Sequence, residues 1–266
     1  MTDAQWAVLS PLLPPQRPPT GRPARDHRAV LRAVLWVLRT GAPWRDLPER
    51  FGPWSTAWSR FRRWTAAGVW ARVLAALQHA ADRSGRLDWA THFVDGTVVR
   101  AHQHAAGAVG GQDDEALGRS RGGFSTKVHL RAEGGGKPLA FVVSGGERHE
   151  SRYVGALLAH GHVRRAGRGR PRVRPGRLVG DKGYSYPTVR RLLARRGIRA
   201  LIPRPSDQRP GDGRHSPFDR ATYRLRNRVE RLIHRLKQYR RLATRYEKRA
   251  RHYLAMLTLA ALLLWV

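Results

Sequence analysis

Near residue 90 the spacing of apolar residues switches from a helical period to the short β-rich runs of a sheet. That switch limits the folds open to this 266-residue chain. Residues 1–85 read as short helices separated by Pro and Gly. Thr2 or Asp3 can cap a first helix carrying Trp6, Leu9 and Leu12, which Pro14-Pro15 stops. Asp26 precedes a second, with Val30, Val34, Leu35 and Leu38 at helical spacing and Gly41 as its end. After the turn-rich stretch Pro43–Pro53, Ser55 opens a third helix with Trp58, Phe61 and Trp64, and a fourth runs from about Gly68 to Ala81. Arg60, Arg62 and Arg63 lie between the aromatics of the third helix, which suits a helix-turn-helix-like DNA-binding domain over 1–85. Seven of the nine tryptophans precede residue 71; most are expected to fill the core, leaving the arginine face as the binding candidate.

From residue 90 the pattern is that of strands. His92–Arg100 is β-rich, and a Gly-rich polar stretch follows to Gly123. Phe124–Ala132 and Lys137–Ser144 are then joined by Glu133-Gly-Gly-Gly136, a connection short enough to make them antiparallel. Ser151–His160 reads as a helix and Val163–Arg177 as a loop with seven Arg and no acid. Leu178–Asp181 is a brief apolar run. A helix comes next, with Ser185 and Pro187 as start signals and Gly197 as stop, and Ile198–Ile202 is a further strand. Strand–helix–strand requires a parallel crossover. Three antiparallel strands followed by such a unit predict an α/β domain over 90–266, a ribonuclease-H-like mixed sheet flanked by helices. Residues 203–217, with four Pro and two Gly, read as a loop before a long helix starting near Phe218 or Asp219.

Charge narrows the partners. Lys and Arg number 51 against 19 Asp and Glu, a formal +32, so the chain is drawn to polyanions and nucleic acid is the first to consider. Forty-six of the 51 are Arg, as base-composition drift would give, but such drift swaps Lys for Arg and creates no surplus. The absence of Cys excludes a disulfide framework, a Cys-ligated zinc site and a thiol nucleophile, and makes a reducing cytosol the expected compartment. The opening Met-Thr-Asp-Ala-Gln-Trp has no signal-peptide pattern. The apolar end, Tyr253–Val266, is 14 residues against the roughly 20 of a membrane span, so a buried terminal helix is expected and no membrane partner.

Nucleotide-driven and zinc-protease readings lack support. Gly122-Gly-Phe-Ser-Thr-Lys127 has no Gly-Lys pair, and no Rossmann glycine pattern, H-E-x-x-H or G-x-S-x-G occurs. Carboxylates are the remaining chemistry. Asp95 lies inside the apolar strand and Asp181 ends Leu178-Val-Gly-Asp181, before the turn Lys182-Gly183-Tyr184. A carboxylate at an apolar strand end is costly to desolvate unless a cation neutralises it, although a turn or cap aspartate explains either one taken singly. In the long helix, Tyr223, Arg226, Glu230, His234 and Lys237 fall within about 80° of one another at about 100° per residue. Leu225, Val229, Leu232 and Leu236 form the opposite stripe, for packing on the sheet. A solvated helix would also show polar residues here, but not this fixed spacing.

Tyr223-x2-Arg226-x3-Glu230-x6-Lys237 resembles the signature around the catalytic glutamate of bacterial insertion-sequence transposases with an Asp-Asp-Glu (DDE) site. Val94-Asp-Gly-Thr97 is similar to that family's first-aspartate segment and Val179-Gly-Asp-Lys-Gly-Tyr184 to its second. Gly118-Arg-Ser-Arg-Gly-Gly-Phe-Ser-Thr-Lys127 is similar to its second strand. Trp44-Arg-Asp-Leu-Pro48, Phe51-Gly52 and Arg60-Phe-Arg-Arg-Trp64 resemble the leading domain of the insertion-sequence-five group. The resemblance spans nearly the whole chain, apart from 162–177 and 203–217.

The resemblance implies a DNA transposase in which Asp95, Asp181 and Glu230 are catalytic and hold two Mg2+ ions, with Mn2+ able to substitute. Magnesium takes hard oxygen ligands, and two such ions can activate the attacking oxygen and stabilise the leaving 3′-oxygen of an in-line transfer. Terminal inverted repeats and target DNA are the implied partners, with at least a homodimer acting in the cytoplasm. Arg226 and Lys237 are expected at phosphates, with Tyr223, Lys182, Arg60, Arg62 and Arg63 as further DNA contacts and Tyr184 as either a DNA contact or a turn residue. A metal-dependent nuclease that does not join, and a catalytically silent DNA binder acting as a repressor, are the competing readings. Asp113-Asp114-Glu115 reads as a solvated loop, Glu150 as a possible auxiliary acid, and His102-x-His104 as lacking a third metal ligand.

Overall fold

The computed structural model describes the chain except residues 18–24, 109–110, 112–113, 121, 166 and 206–217. Most of the 203–217 loop, Asp113 and Arg121 therefore lie outside the described residues. Four helices lead: α1 (Asp3–Leu9), α2 (His27–Thr40), α3 (Trp54–Ala66) and α4 (Val69–Arg83). Their ends follow local chemistry. Thr2 and Gln5 form a reciprocal capping box on α1, and the Asp26 carboxylate accepts the N–H groups of Arg28 and Ala29 to start α2. Gly41 (φ 76°) closes α2 in the left-handed region, where a Cβ is unfavourable. Residues 41–53 separate α2 from α3, whereas only Ala67-Gly68 separates α3 from α4.

The sheet follows: β1 (Thr91–Ala101), β2 (Gly118–Ser120), β3 (Gly123–Ala132), β4 (Pro138–Gly145), β5 (Arg177–Val179), β6 (Arg199–Leu201) and β7 (Thr244–Arg245). The helices α5 (Val154–His160), α6 (Pro187–Arg195), α7 (Arg220–Arg224), α8 (Asn227–Lys237), α9 (Arg240–Ala243) and α10 (Ala250–Trp265) complete the described elements. β3 pairs antiparallel with β1 and β4, while β5 lies parallel to both β1 and β6. The resulting path, β4–β3–β1–β5–β6, is the ribonuclease-H-like mixed sheet, with the short β2 and β7 added to the edges of β3 and β1.

Alternation along β1 and β3 sorts the two faces. Phe93, Val99, Val128 and Leu130 face a large core shared with α1–α4, α8 and α10. Val94 faces a smaller one with Val154, Leu157, Leu158, Val189 and Leu193 of α5 and α6. The terminal helix α10 is buried along most of its length, as its apolar sequence predicts, and Trp265 donates to the Pro138 carbonyl at 2.9 Å. Among the described residues no helix is long and apolar enough to cross a membrane.

Several sequence expectations change here. The long helix after residue 218 is two, α7 and α8, because the chain tightens to i→i+3 bonds around Leu225 and Arg226. Leu225 consequently leaves the apolar stripe and is exposed, while Val229, Leu232 and Leu236 keep it. Glu115 is not a solvated loop residue: it accepts from the Ala250 N–H at the start of α10 and pairs with Arg249 at 3.1 Å. Asp114 is exposed.

Candidate active site

β1 and β5 run side by side, with Phe93 opposite Val179. Asp95 and Asp181 each lie two residues further on, so the two aspartates sit at one level, Asp181 just past the carboxyl end of β5 and Asp95 beside it within β1, which continues to Ala101. Asp181 caps the turn Lys182–Tyr184 and accepts the Gly183 N–H at 2.9 Å. Asp95 is on the sheet face covered by α8, whose buried Val229, Leu232 and Leu236 hold that helix down. Glu230 thereby faces the strands, and the Arg226 guanidinium bridges to it (2.5 Å) and to Asp95 (3.4 Å).

Asp95 is 9% exposed. Burial pushes its carboxyl up to about 6, against the Gly96 N–H and Arg226, and the Asp181 and Glu230 carboxylates add repulsion. Arg226 answers that field: burial opposes its charge, but Asp95 and Glu230 outweigh burial and hold its pKa above the ordinary value. Tyr223, half-buried against Phe218, has its phenol raised by burial and feels Arg226, Asp181, Glu230 and Asp95. Four of the expected residues, Asp95, Asp181, Arg226 and Glu230, thus share one electrostatic site, with Tyr223 beside it.

Among the described residues no three carboxylate or imidazole groups stand close enough together to hold a metal ion. The donor set nevertheless fits a hard divalent cation: three carboxylates supply only oxygen, and buried Asp95 is incompletely neutralised by a guanidinium at 3.4 Å. Arg226 stands between two of the three and must give way for both to share an ion.

The other expected contacts divide. Lys182 is exposed beside Asp181, and Lys237, half-buried, donates to the Val98 carbonyl at 3.4 Å. Arg62 and Arg63 are exposed and, with Ser59, Ala66 and Arg251, wall a cleft of about 570 Å3. Arg60 is a correction. It is buried, bonds His27 Nδ1 at 2.8 Å and lies over the Trp64 ring, so it belongs to the helical core rather than to the arginine face. Tyr184 is likewise fully buried and packs in the core under α6, which removes it as a DNA contact. His234 is exposed on α8.

Glu150 reaches the opposite side of the same strand. Its Cγ lies where a Cβ on residue 96 would be 2.9 Å away, so Gly96 makes room for it. Lys127 pairs with it at 3.0 Å, and although burial opposes ionisation, its own N–H and Lys127 hold its carboxyl below the ordinary value. Sequence reasoning missed Lys127 and Arg251; the basic start of the terminal helix was the available signal for the second.

Residues 91–265 match the family model described as a transposase DDE domain, and residues 1–74 match one described as an IS4/5-family transposase. The chain belongs to the DDE-domain transposase family. It is 36% identical over 135 residues to the uncharacterized protein y4sN of Sinorhizobium fredii, covering 51% of this chain and 96% of that one. It is 40% identical over 105 residues to the insertion element IS402 uncharacterized 16.2 kDa protein of Burkholderia cepacia, covering 37% and 71%. Among solved structures, the Mos1 strand transfer complex aligns over 84% of this chain and 81% of that one at 14% identity, with a TM-score of 0.28. The Mos1 mariner paired end complex with Mn gives 12% identity, 84% and 82% coverage and a TM-score of 0.27. Both superpositions are too loose to bear on this chain's site.

Proposed function

We propose that the chain cuts DNA at the terminal inverted repeats of an insertion sequence and joins the freed ends to target DNA. The observation that carries this reading is the gathering of Asp95, Asp181 and Glu230, distant in sequence, in the field of Arg226, which pairs with the first and third. Asp95, Asp181 and Glu230 hold the divalent cations, Mg2+ by preference and Mn2+ as substitute. When bound, these supply Lewis-acid activation of the attacking oxygen and stabilise the leaving 3′-oxygen. In the first step water attacks the phosphorus at the element's end and the P–O3′ bond breaks, leaving a 3′-hydroxyl. In the second that hydroxyl attacks a target phosphodiester, whose own P–O3′ bond breaks; one bond replaces another and no ATP is needed.

The chain's own contributions follow from placement. The buried face of α8 fixes Glu230 against β1, and the Gly96 and Gly183 amides orient one oxygen each of Asp95 and Asp181. Arg226, released from the carboxylates, is placed to take a phosphate bidentately, with Lys237 and Lys182 as point charges. Arg62 and Arg63, and the exposed arginines of 164–174, hold the duplex backbone. Two ends must be cut and joined together, so at least a dimer acts, in the cytoplasm where the DNA lies.

Incubating the full chain with Mg2+ and a duplex bearing the inverted repeat separates the readings. Joined products support transposition. Nicks without joining favour a nuclease, and a band shift without cleavage favours a silent binder acting as a repressor.

A further inference from the structure

About seven residues past Asp95, β1 delivers His102 to a cleft of about 780 Å3 between the helical region and the C-terminal segment. Aromatic and imidazole side chains line it: Trp44, Trp54, Trp58, His102 and Tyr246, all only half-buried. The rings brace one another. Trp44 and Trp58 have centroids 5.2 Å apart, and Tyr246 stacks on His102 at 5.1 Å with 29° between planes. Behind Tyr246 the buried Arg241 is neutralised by Glu247 at 2.6 Å and tied to the Ala42 carbonyl at 2.9 Å, so the wall is fixed. The rim is cationic, with Arg45 over the Trp54 ring and the exposed Lys248, and among the described residues no carboxylate lines the cleft.

Aromatic planes with a cationic rim match a nucleotide, base against ring and phosphate against Arg or Lys. A paired base keeps its faces stacked inside the duplex, so a cleft lined by aromatic rings takes a base that has left the duplex or a single strand. An apolar protein segment would bury Arg45 and Lys248 without partners. Continuity favours DNA: Trp58 of this cleft and Arg62 of the cleft with Arg63 and Arg251 lie one turn apart on one face of α3.

We propose that this aromatic cleft binds an unpaired nucleotide of the DNA strand whose phosphates cross Arg62, Arg63 and Arg251. It rests on the reading of the chain as a DNA enzyme. At about 3.3 Å per strand residue the cleft lies roughly 23 Å from Asp95. At about 3.4 Å per base step, that is some seven nucleotides from the phosphate being cut.

The test uses the full chain, fluorescein-labelled (dT)12 and a blunt duplex of equal length bearing the inverted repeat. Trp54→Leu is expected to weaken (dT)12 binding by roughly 5- to 150-fold, the range that losing one base–aromatic stack gives, with duplex binding within about twofold of wild type. Photocrosslinking of (dT)12 carrying 5-iodouracil to the wild-type chain, mapped by mass spectrometry, avoids dependence on how the variant folds. Adducts on Trp44, Trp54, Trp58, His102 or Tyr246 support the site. Adducts confined elsewhere, or an unchanged (dT)12 affinity in a folded Trp54→Leu protein, overturn it while duplex binding leaves the enzymatic reading intact. Failure to bind either DNA overturns both.

Discussion

Asp95 carries an uncompensated cost that fixes the sign of a stability change. Its folded pKa, about 6, lies above its ordinary 3.8, so between those values the folded protein binds more protons than the unfolded chain. Stability therefore falls as pH rises through roughly 4 to 6 and the full penalty is present at pH 7. A shift of about two units corresponds to a penalty on the order of 3 kcal/mol. Asp95→Asn should unfold at higher urea than wild type at pH 7, with the difference gone near pH 4. A variant no more stable at pH 7 would contradict the electrostatic account of the site. The arginines of α3 give a second contrast. Arg62→Gln and Arg63→Gln should each lower the salt slope of duplex binding by about one, leaving the melting temperature unchanged. Arg60→Leu should instead destabilise the fold by about 1–3 kcal/mol in thermal or urea unfolding, and so lower the melting temperature, because His27 Nδ1 loses its buried donor.

Among the elements, β3 shows how alternation and burial part company. Lys127, His129 and Arg131 alternate with Val128 and Leu130, a pattern that reads as a half-solvated strand, yet all three polar residues are buried. Each has a local answer: Lys127 meets Glu150, His129 meets Ser144 at 2.8 Å, and Arg131 donates to His92 and to the carbonyls of Leu158 and Val173. Arg131 thus ties α5 and the arginine-rich loop to the sheet without an acid, and burial lowers its pKa to about 9. Arg131→Met should leave those carbonyls unpaired at a cost of about 1–3 kcal/mol each and speed amide exchange over residues 157–173. Unchanged exchange there would show that the tie is not needed.

The same elements mark what was legible in the sequence. β1, the Glu133–Gly136 hairpin and the crossover through α6 follow from local pattern, because spacing, turn residues and caps act over a few positions, whereas Glu230 is grouped with Asp95 and Asp181 only by the family resemblance. The burial of Arg60 and the capping of α10 by Glu115 depend on partners tens of residues away, which no window of sequence contains. The short β2 and β7 exist only through pairing with β3 and β1.

At the scale of the whole molecule the two matched segments, 1–74 and 91–265, are not separate in packing. Leu9, Leu31 and Trp70 meet Leu259 and Leu262 of α10, and Gln78 of α4 donates to the Leu139 carbonyl of β4 at 3.0 Å. Residues 90–266 alone would expose the inner face of α10, so that fragment should bind a hydrophobic dye and lack a cooperative transition, while the full chain melts in one. A cooperative, dye-silent fragment would show that the shared core is dispensable. The net charge of +32 sets the other global property, steep loss of duplex affinity with salt. The most direct check of the central claim, that three distant carboxylates form one divalent-cation site, is a paramagnetic resonance titration of Mn2+ into the full chain bound to end-bearing duplex. Two tightly bound ions are expected for wild type, with at least one lost in each of Asp95→Asn, Asp181→Asn and Glu230→Gln although each still binds the duplex. Wild-type stoichiometry and affinity in any of the three would contradict the account.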